Sequence, residues 1–479
     1  MSACFQLLSY VLAGVAAVLV ASGLVGLIYA EVEGFDLLGS AAIVLFLAVV
    51  IRLVVAGHSS AFRRHVALIA VLAIWIAAPA LLAVPIGLMA DLGFTAAVFQ
   101  AVSALTTTGA LVTVDPDQLP RSVLFALCLI SWFGGGLTIV MAVFVLGPIG
   151  AGGLPAPIGG HGGRRHVSNA DVFPYVVLDF LPIYGGVTVA AVAALLLAGL
   201  PLFDAICLAL SVISTGGFVP RSGGIATYAS PAVETVLIVA MTVGATSILW
   251  QRQILERRWR AAREGSENFT VFAAVVVLAF VLSVILTEAG IADAFRRGAF
   301  LAASLVSTTG FEPAAGSLAA LPTSLVAVVV LAGGASFSTA GGLKLFRVRA
   351  MAIQGVREVR RLIYPHGVRP ARIGHQAYTI QLMKAVWAAF AVMMVTLAVT
   401  TILVAPVMDG FAASLWVALA ALTNAGPIYG TGSYVLEAAW APWKELAPWA
   451  HWVLIFAMVL GRVELVAALA LLNLAFWRR

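Results

Sequence analysis

Residues 94–110, FTAAVFQAVSALTTTGA, form a short apolar run that opens on an aromatic and closes on hydroxyls and a glycine, and the chain carries this pattern four times. The other copies are FDAICLALSVISTGGF at 203–218, FRRGAFLAASLVSTTGF at 295–311 and FAASLWVALAALTNAGP at 411–427. Aligned without gaps on Gly109, Gly217, Gly310 and Gly426, they place Ser103, Ser211, Ser304 and Ala420 six residues before the glycine. Phe99, Cys207, Phe300 and Trp416 stand ten before it. The glycines are 108, 93 and 116 residues apart, and each pattern lies between two apolar runs of spanning length. The expected fold is therefore an all-α integral membrane protein: four pseudo-repeats of helix, pore half-helix, filter loop and helix around a central pore. The repeats are predicted at 65–165, 166–263, 264–375 and 376–479, after an N-terminal pair of transmembrane helices in 1–64.

Composition agrees with a bilayer. Of 479 residues 62% are hydrophobic and only 10% charged, with mean hydropathy +1.07. Too little charge remains to cover a soluble enzyme, a nucleic-acid-binding domain or a disordered chain, so no nucleic-acid partner is expected. Apolar runs predict spans at about 7–30, 37–56, 66–89, 122–147, 174–199, 231–251, 269–287, 321–346, 379–405 and 449–476. The first run has no Lys or Arg before it and is too long for a signal peptide, so it is expected to remain as a span. Cys4, Cys128 and Cys207 all lie in apolar stretches and read as small core residues. The side on which the four short segments enter holds fourteen acidic and five basic residues, against seven and twenty-two for the rest of the chain. Lys and Arg mark the cytoplasm, so both termini are expected there and the short segments enter from outside. The Gly/Pro stretch at 147–165 lacks phosphate-loop spacing and reads as a connection.

A chain that enters a membrane and leaves on the same side must satisfy its backbone against protein or a water-filled path. A half-helix whose C-terminal end points inward favours a cation there. The residues that follow, Thr107-Thr108-Gly109, Thr215-Gly216-Gly217, Thr308-Thr309-Gly310 and Asn424-Ala425-Gly426, are small enough to run extended with carbonyls turned to an axis. Four such loops would replace the hydration shell of a monovalent cation. One loop alone would read as a small-residue packing patch; four in register favour the pore. Residues 331–346, LAGGASFSTAGGLKLF, place Gly333, Gly334, Ser336, Ser338, Thr339, Gly341, Gly342 and Lys344 inside a predicted span. They predict a broken helix whose middle, 333–342, crosses the path as a gate. Arg462 and Glu464 lie at depth in the last span, the first expected to impede cations and the second to offset positive charge such as Lys344. The histidines show no metal-ligand spacing and are expected in solvated loops, and Trp440, Trp443, Trp449 and Trp477 are expected to anchor the interface.

These residues resemble the Trk/Ktr/HKT superfamily of potassium transporters, in its TrkH-type branch. The likeness rests on TTTGA, STGGF, STTGF and TNAGP, on WFGGGLTIVMAVFVLGP at 132–148, on GGASFSTAGGLK, and on the closing GRVELVAALALLNLAFWRR. It departs at Thr423 and Ile428-Tyr429 and in the bulk of Phe337. The resemblance implies potassium uptake across the bacterial cytoplasmic (inner) membrane, with potassium bound at the filter residues above. It further implies a homodimer and a cytosolic TrkA-type nucleotide-binding regulatory subunit, with no cofactor in this chain and the nucleotide held only by the partner. An ion-coupled carrier with inverted repeats is the competing class, disfavoured because all four repeats share one orientation. No catalytic constellation for a membrane enzyme is present in the sequence.

Overall fold

The structure, a computed structural model, describes residues 2–57, 64–113, 115–150, 172–264, 266–286, 290–364, 372–373, 376–377, 379–430 and 440–463. Among these the fold is helical apart from a two-residue antiparallel pairing of Arg372–Ile373 with Gln376–Ala377. Among the described residues seven helices are long and apolar enough to cross a membrane: Ser2–Ile28, Glu33–Val55, Val66–Met89, Arg121–Leu146, Phe173–Leu197, Glu267–Ile285 and Ile380–Val407. Their outward faces carry exposed Ile43, Phe46, Val189, Val276, Phe280 and Ile402, as expected where the surrounding solvent is hydrocarbon.

The N-terminal pair crosses closely because glycines leave room for backbone contact. A Cβ on Gly26 would stand 2.6 Å from the Gly34 Cα, and one on Gly34 would stand 3.0 Å from the Gly23 carbonyl oxygen. Glu31, in the turn between them, accepts from the Arg121 and Ser122 amides at 2.8 and 2.9 Å. That carboxylate docks the pair onto the N-terminus of the Arg121–Leu146 helix, where unpaired amides and the helix dipole favour an anion.

Two predicted spans are interrupted. The expected continuous run at 231–251 is two helices, Pro231–Gly244 and Ile248–Leu255, bent by 102°. The expected run at 321–346 is the helix Thr323–Ala332, an irregular loop, and the amphipathic helix Leu345–Ile363. The two breaks are sewn together: the Ala335 amide donates to the Ala245 carbonyl at 2.9 Å, and the Ile248 amide to the Phe337 carbonyl at 3.1 Å. Each break's orphaned backbone groups thereby find partners in the other, which lets irregular chain persist at membrane depth. A side-chain bracket from one helix start supports both, since the Ser247 amide donates to Asn268 Oδ1 at 2.9 Å and the Ser336 amide to Glu267 Oε1 at 2.6 Å.

The centre of the molecule is built from four short helices, Phe94–Leu105, Leu202–Ile213, Ile291–Val306 and Phe411–Leu422, each buried throughout its last seven residues. In three repeats a glycine of the following helix crosses the same position, four residues before the aligned glycine. A Cβ on Gly134 would stand 2.7 Å from the Leu105 carbonyl carbon, one on Gly244 3.2 Å from the Ile213 carbonyl oxygen, and one on Gly461 3.2 Å from the Leu422 carbonyl carbon.

Candidate functional site

Each short helix ends in the same hydrogen-bonded turn. The amides of Thr107, Thr215, Thr308 and Asn424 donate to the carbonyls three residues back, on Ala104, Val212, Leu305 and Ala421. The next amides, of Thr108, Gly216, Thr309 and Ala425, donate five residues back, to Ser103, Ser211, Ser304 and Ala420, at 2.8, 2.7, 3.0 and 2.9 Å. This is a Schellman C-cap, whose left-handed residue is ordinarily glycine. Here Thr107, Thr215, Thr308 and Asn424 take that place with φ of 54°, 56°, 59° and 52°. A β-branched residue there costs on the order of 1–2 kcal/mol and persists only where its surroundings hold it.

The surroundings explain the cost, because these side chains bind what lies beneath them. Thr215 Oγ1 donates to the Thr339 carbonyl at 3.0 Å, and Thr308 Oγ1 accepts from the Gly341 amide at 2.7 Å. Thr107 Oγ1 accepts from Arg462 Nη2. Asn424 Nδ2 donates to the Met458 carbonyl and to Thr108 Oγ1, each at 3.0 Å. Thr339 Oγ1 in turn donates to the Ile213 and Gly244 carbonyls at 3.0 Å. The irregular loop between Ala332 and Leu345 thus lies directly under the four turns.

Its glycines are there for space and backbone angle. Gly333 and Gly342 have φ of 66° and 75°, and a Cβ on Gly334 would stand 2.9 Å from the Ala245 carbonyl oxygen. Phe337 and Lys344 are also left-handed, at 58° and 78°. Ser338 Oγ donates to the Ala335 carbonyl at 2.6 Å, and Lys344 Nζ donates to the Ala340 carbonyl. Arg462, 5% exposed, reaches the Thr106 carbonyl at 2.5 Å and the Thr339 carbonyl at 2.6 Å, so its guanidinium bridges the first turn and the loop. Glu464 lies outside the described residues. The acid that meets the loop is Glu267, which the hydropathy reading passed over because it stands at the edge of an apolar run.

Beyond the caps, three turns continue with Gly109, Gly217 and Gly310 in the left-handed region at 76°, 71° and 76° and then run on without regular structure. The fourth departs from the expected extended path. Gly426 is absent from the left-handed set and residues 427–430 are helical, a course set by Pro427, which is preorganised for a first helical turn. The Gly426 amide donates to the Thr108 carbonyl at 2.6 Å. The Pro427 ring fills the space between two partners: a Cβ on Gly217 would stand 2.8 Å from its Cγ, and one on Gly310 3.1 Å from its Cβ. The carbonyl ends of the short helices are also less free than expected, since the caps and Arg462 use several of them.

A cavity of about 480 Å³, lined by Gly109, Gly217 and Gly426, opens on the side of the turns away from the loop, and a smaller one of about 40 Å³ lies on the opposite side, lined by Phe337, Lys344, Arg347 and Arg462. The turns and the loop are what separates them. The Arg121–Leu146 helix reaches the smaller cavity through a π-helical stretch, Ala142–Leu146, a distortion common at functional sites. At the rim of the larger cavity Arg221 pairs with Asp204 at 3.0 Å and Asp117 at 3.7 Å, joining the loops after the first and second turns. Hydrogen bonds from Ser222, with Arg221 nearby, hold the Asp117 carboxyl below its ordinary range.

Several aromatic and histidine expectations change. Trp440 and Trp443 are buried and pack on Tyr429 with ring centroids 5.6 and 4.8 Å away, behind the fourth turn. His451 is buried against Phe99, with Nε2 2.8 Å from the Trp443 carbonyl oxygen. Trp449 is 45% exposed, as an interface anchor would be, while Trp477 lies outside the described residues. The three cysteines are free and buried, as expected of small core residues.

The same arrangement of sequence recurs in known proteins. The TrkH family profile, described as a cation transport protein, matches residues 41–287 and 267–474. The Trk system potassium uptake protein TrkH of Salmonella typhimurium is 30% identical over 404 residues, covering 81% of this chain and 80% of that one. The Escherichia coli protein of the same name gives the same identity and coverage. Escherichia coli TrkG is 28% identical over 437 residues, covering 87% of this chain and 86% of that one. The crystal structure of the potassium transporter TrkH from Vibrio parahaemolyticus superposes with a TM-score of 0.86 at 26% identity, over 100% of this chain and 99% of the other. The chain is a multi-pass membrane protein of a transport family, not an enzyme, and it belongs to the TrkH family of cation transport proteins.

Proposed function

We propose that this chain takes up potassium across the bacterial cytoplasmic membrane by gated, channel-like permeation. The ion passes the four glycine-ended turns, where carbonyls at Thr107–Gly109, Thr215–Gly217, Thr308–Gly310 and Asn424–Gly426 stand in for water. The loop at 333–342, with Lys344 and Arg462, closes the path beneath them, and repulsion by the guanidinium adds to the steric block. The observation that carries this reading is the repeated cap with its left-handed Thr, Thr, Thr and Asn, lying between two cavities, with Thr215 and Thr308 bonded to one loop and Thr107 joined to it through Arg462.

Each repeat contributes one turn, so the units 65–165, 166–263, 264–375 and 376–479 surround one axis and 1–64 packs outside it. Both termini face the cytoplasm, in keeping with the excess of Lys and Arg on that side. The chain works as a homodimer with a cytosolic TrkA-type subunit that binds nucleotide and moves the loop. The relatives' shared designation as Trk system proteins supports a multi-component assembly.

Cation flux into liposomes carrying the purified chain, with and without a TrkA-type partner, tests this reading. Potassium and rubidium are expected to pass ahead of sodium and lithium, with the preference eroded by Gly310→Ser. Absence of flux in both conditions, or flux indifferent to that substitution, would contradict it.

A further inference from the structure

A cleft of about 160 Å³ lies away from the turns, between the helices Ser2–Ile28, Arg121–Leu146 and Phe173–Leu197. Its walls are apolar and aromatic, including Val11, Phe133, Val177, Phe180 and Leu181. Water gains nothing there, because a buried water needs two or more polar partners. Arg52 sits at its rim, exposed in the last turn of Glu33–Val55, with its guanidinium carbon 4.9 Å from the centre of the Tyr10 ring, which itself lines the cleft. Arg52 has no carboxylate partner among the described residues, whereas the nearby Arg252 is taken by Asp179 at 3.4 Å and Glu256 at 2.7 Å. An apolar slot at membrane depth whose mouth holds a cation that no described carboxylate pairs has the charge and polarity of a lipid site.

We propose that this cleft holds an acyl chain of one anionic phospholipid whose phosphate rests on Arg52. Phe173, at the start of its helix, lines the cleft beside Tyr10, and Arg52 stands in the last turn of Glu33–Val55, so the lipid comes from the cytoplasmic leaflet, an assignment that rests on the orientation proposed above. The site touches the transport machinery at two points. Ile248 lines it and donates its amide to the Phe337 carbonyl of the intramembrane loop. Tyr184 lines it too, donates to the Trp132 carbonyl at 3.1 Å, and abuts Gly135, where a Cβ would stand 2.8 Å from the Tyr184 Oη and 3.0 Å from the Ser214 Cβ beside the second turn. A chain seated in the cleft braces both.

Native mass spectrometry of the purified full chain, titrated with phosphatidylglycerol or phosphatidylcholine, tests the site without any reference to ion flux. Its failure is thus separable from failure of the transport reading. The wild-type chain should retain one phosphatidylglycerol in preference to phosphatidylcholine. Arg52→Gln should weaken that retention about fivefold, the worth of one basic residue at a membrane surface. Val177→Trp, which fills the slot, should abolish retention of the same single lipid while leaving the chain's elution in detergent unchanged. Equal retention of the two lipids by the wild type, or retention unchanged in either variant, would overturn the proposal.

Discussion

The first three glycine-ended turns and the fourth share a cap and diverge at the glycine. In turns one to three, a left-handed threonine is followed by a left-handed glycine and open chain, and the threonine hydroxyl is bonded to the loop at 333–342 or to Arg462. In turn four the left-handed residue is Asn424, its amide bonded to the Met458 carbonyl, and a helical turn begins at Pro427. The second and third turns are therefore tied directly to the loop beneath and the first through Arg462, while the fourth is tied to Met458, on the helix that also carries Arg462, and sets the Pro427 ring between Gly217 and Gly310. What this teaches is that a fourfold sequence pattern sets a common cap, and the residue after the glycine decides whether the turn is a wall or a plug.

The largest expected effect comes from cutting the tie of the first turn. Arg462→Gln removes charged hydrogen bonds of about 1.5–3 kcal/mol each from the closed arrangement, so flux without the partner subunit should rise tenfold or more. An unchanged rate would mean that the arginine is not part of the closure. Next, Pro427→Gly allows the fourth turn to extend like the others. Potassium flux should rise several-fold and the preference over sodium should fall, and unaltered selectivity would break the contrast between wall and plug.

Thr308→Val keeps the shape but leaves the buried Gly341 amide without an acceptor, at a cost of about 1–3 kcal/mol. Opening should become easier in flux assays, with little change in ion preference. The smallest effects concern the serines six residues before the glycines. Ser103 Oγ and Ser304 Oγ each donate to a carbonyl seven residues on, at 2.7 Å, whereas Ser211 Oγ is buried without a partner. Ser103→Ala and Ser304→Ala should each cost about 1 kcal/mol of thermal stability, and Ser211→Ala about zero. Equal losses at all three would erase the difference between the first and third turns and the second.

Much of this was legible in sequence, and the exceptions have physical causes. The four turns could be aligned because each needs the same short helix, hydroxyls and glycine, and the interruption at 333–344 was visible because four glycines cannot hide in an apolar span. The bend at 245–247 was not, since Gly244-Ala245-Thr246-Ser247 sits in a run whose hydropathy stays high. Its backbone is satisfied by Ala335 and Phe337, nearly a hundred residues away. Burial of His451, Trp440 and Trp443 likewise depends on tertiary partners around Tyr429 and Phe99. Pro427 was a readable signal, because proline at the first position of a helix announces a turn that will not extend. Glu31 and Glu267 escaped notice because a carboxylate at a span edge resembles a solvated charge until the amides it caps are placed beside it.

The central claim is that cations pass at the four turns. A structure determined by anomalous diffraction from crystals grown in rubidium tests it most directly. The account predicts an anomalous peak on the axis, ringed by carbonyl oxygens of Thr107–Gly109, Thr215–Gly217, Thr308–Gly310 and Asn424–Gly426, with the Pro427 ring displaced from its place between Gly217 and Gly310. Rubidium bound only elsewhere, with Pro427 still seated between those glycines, would contradict it.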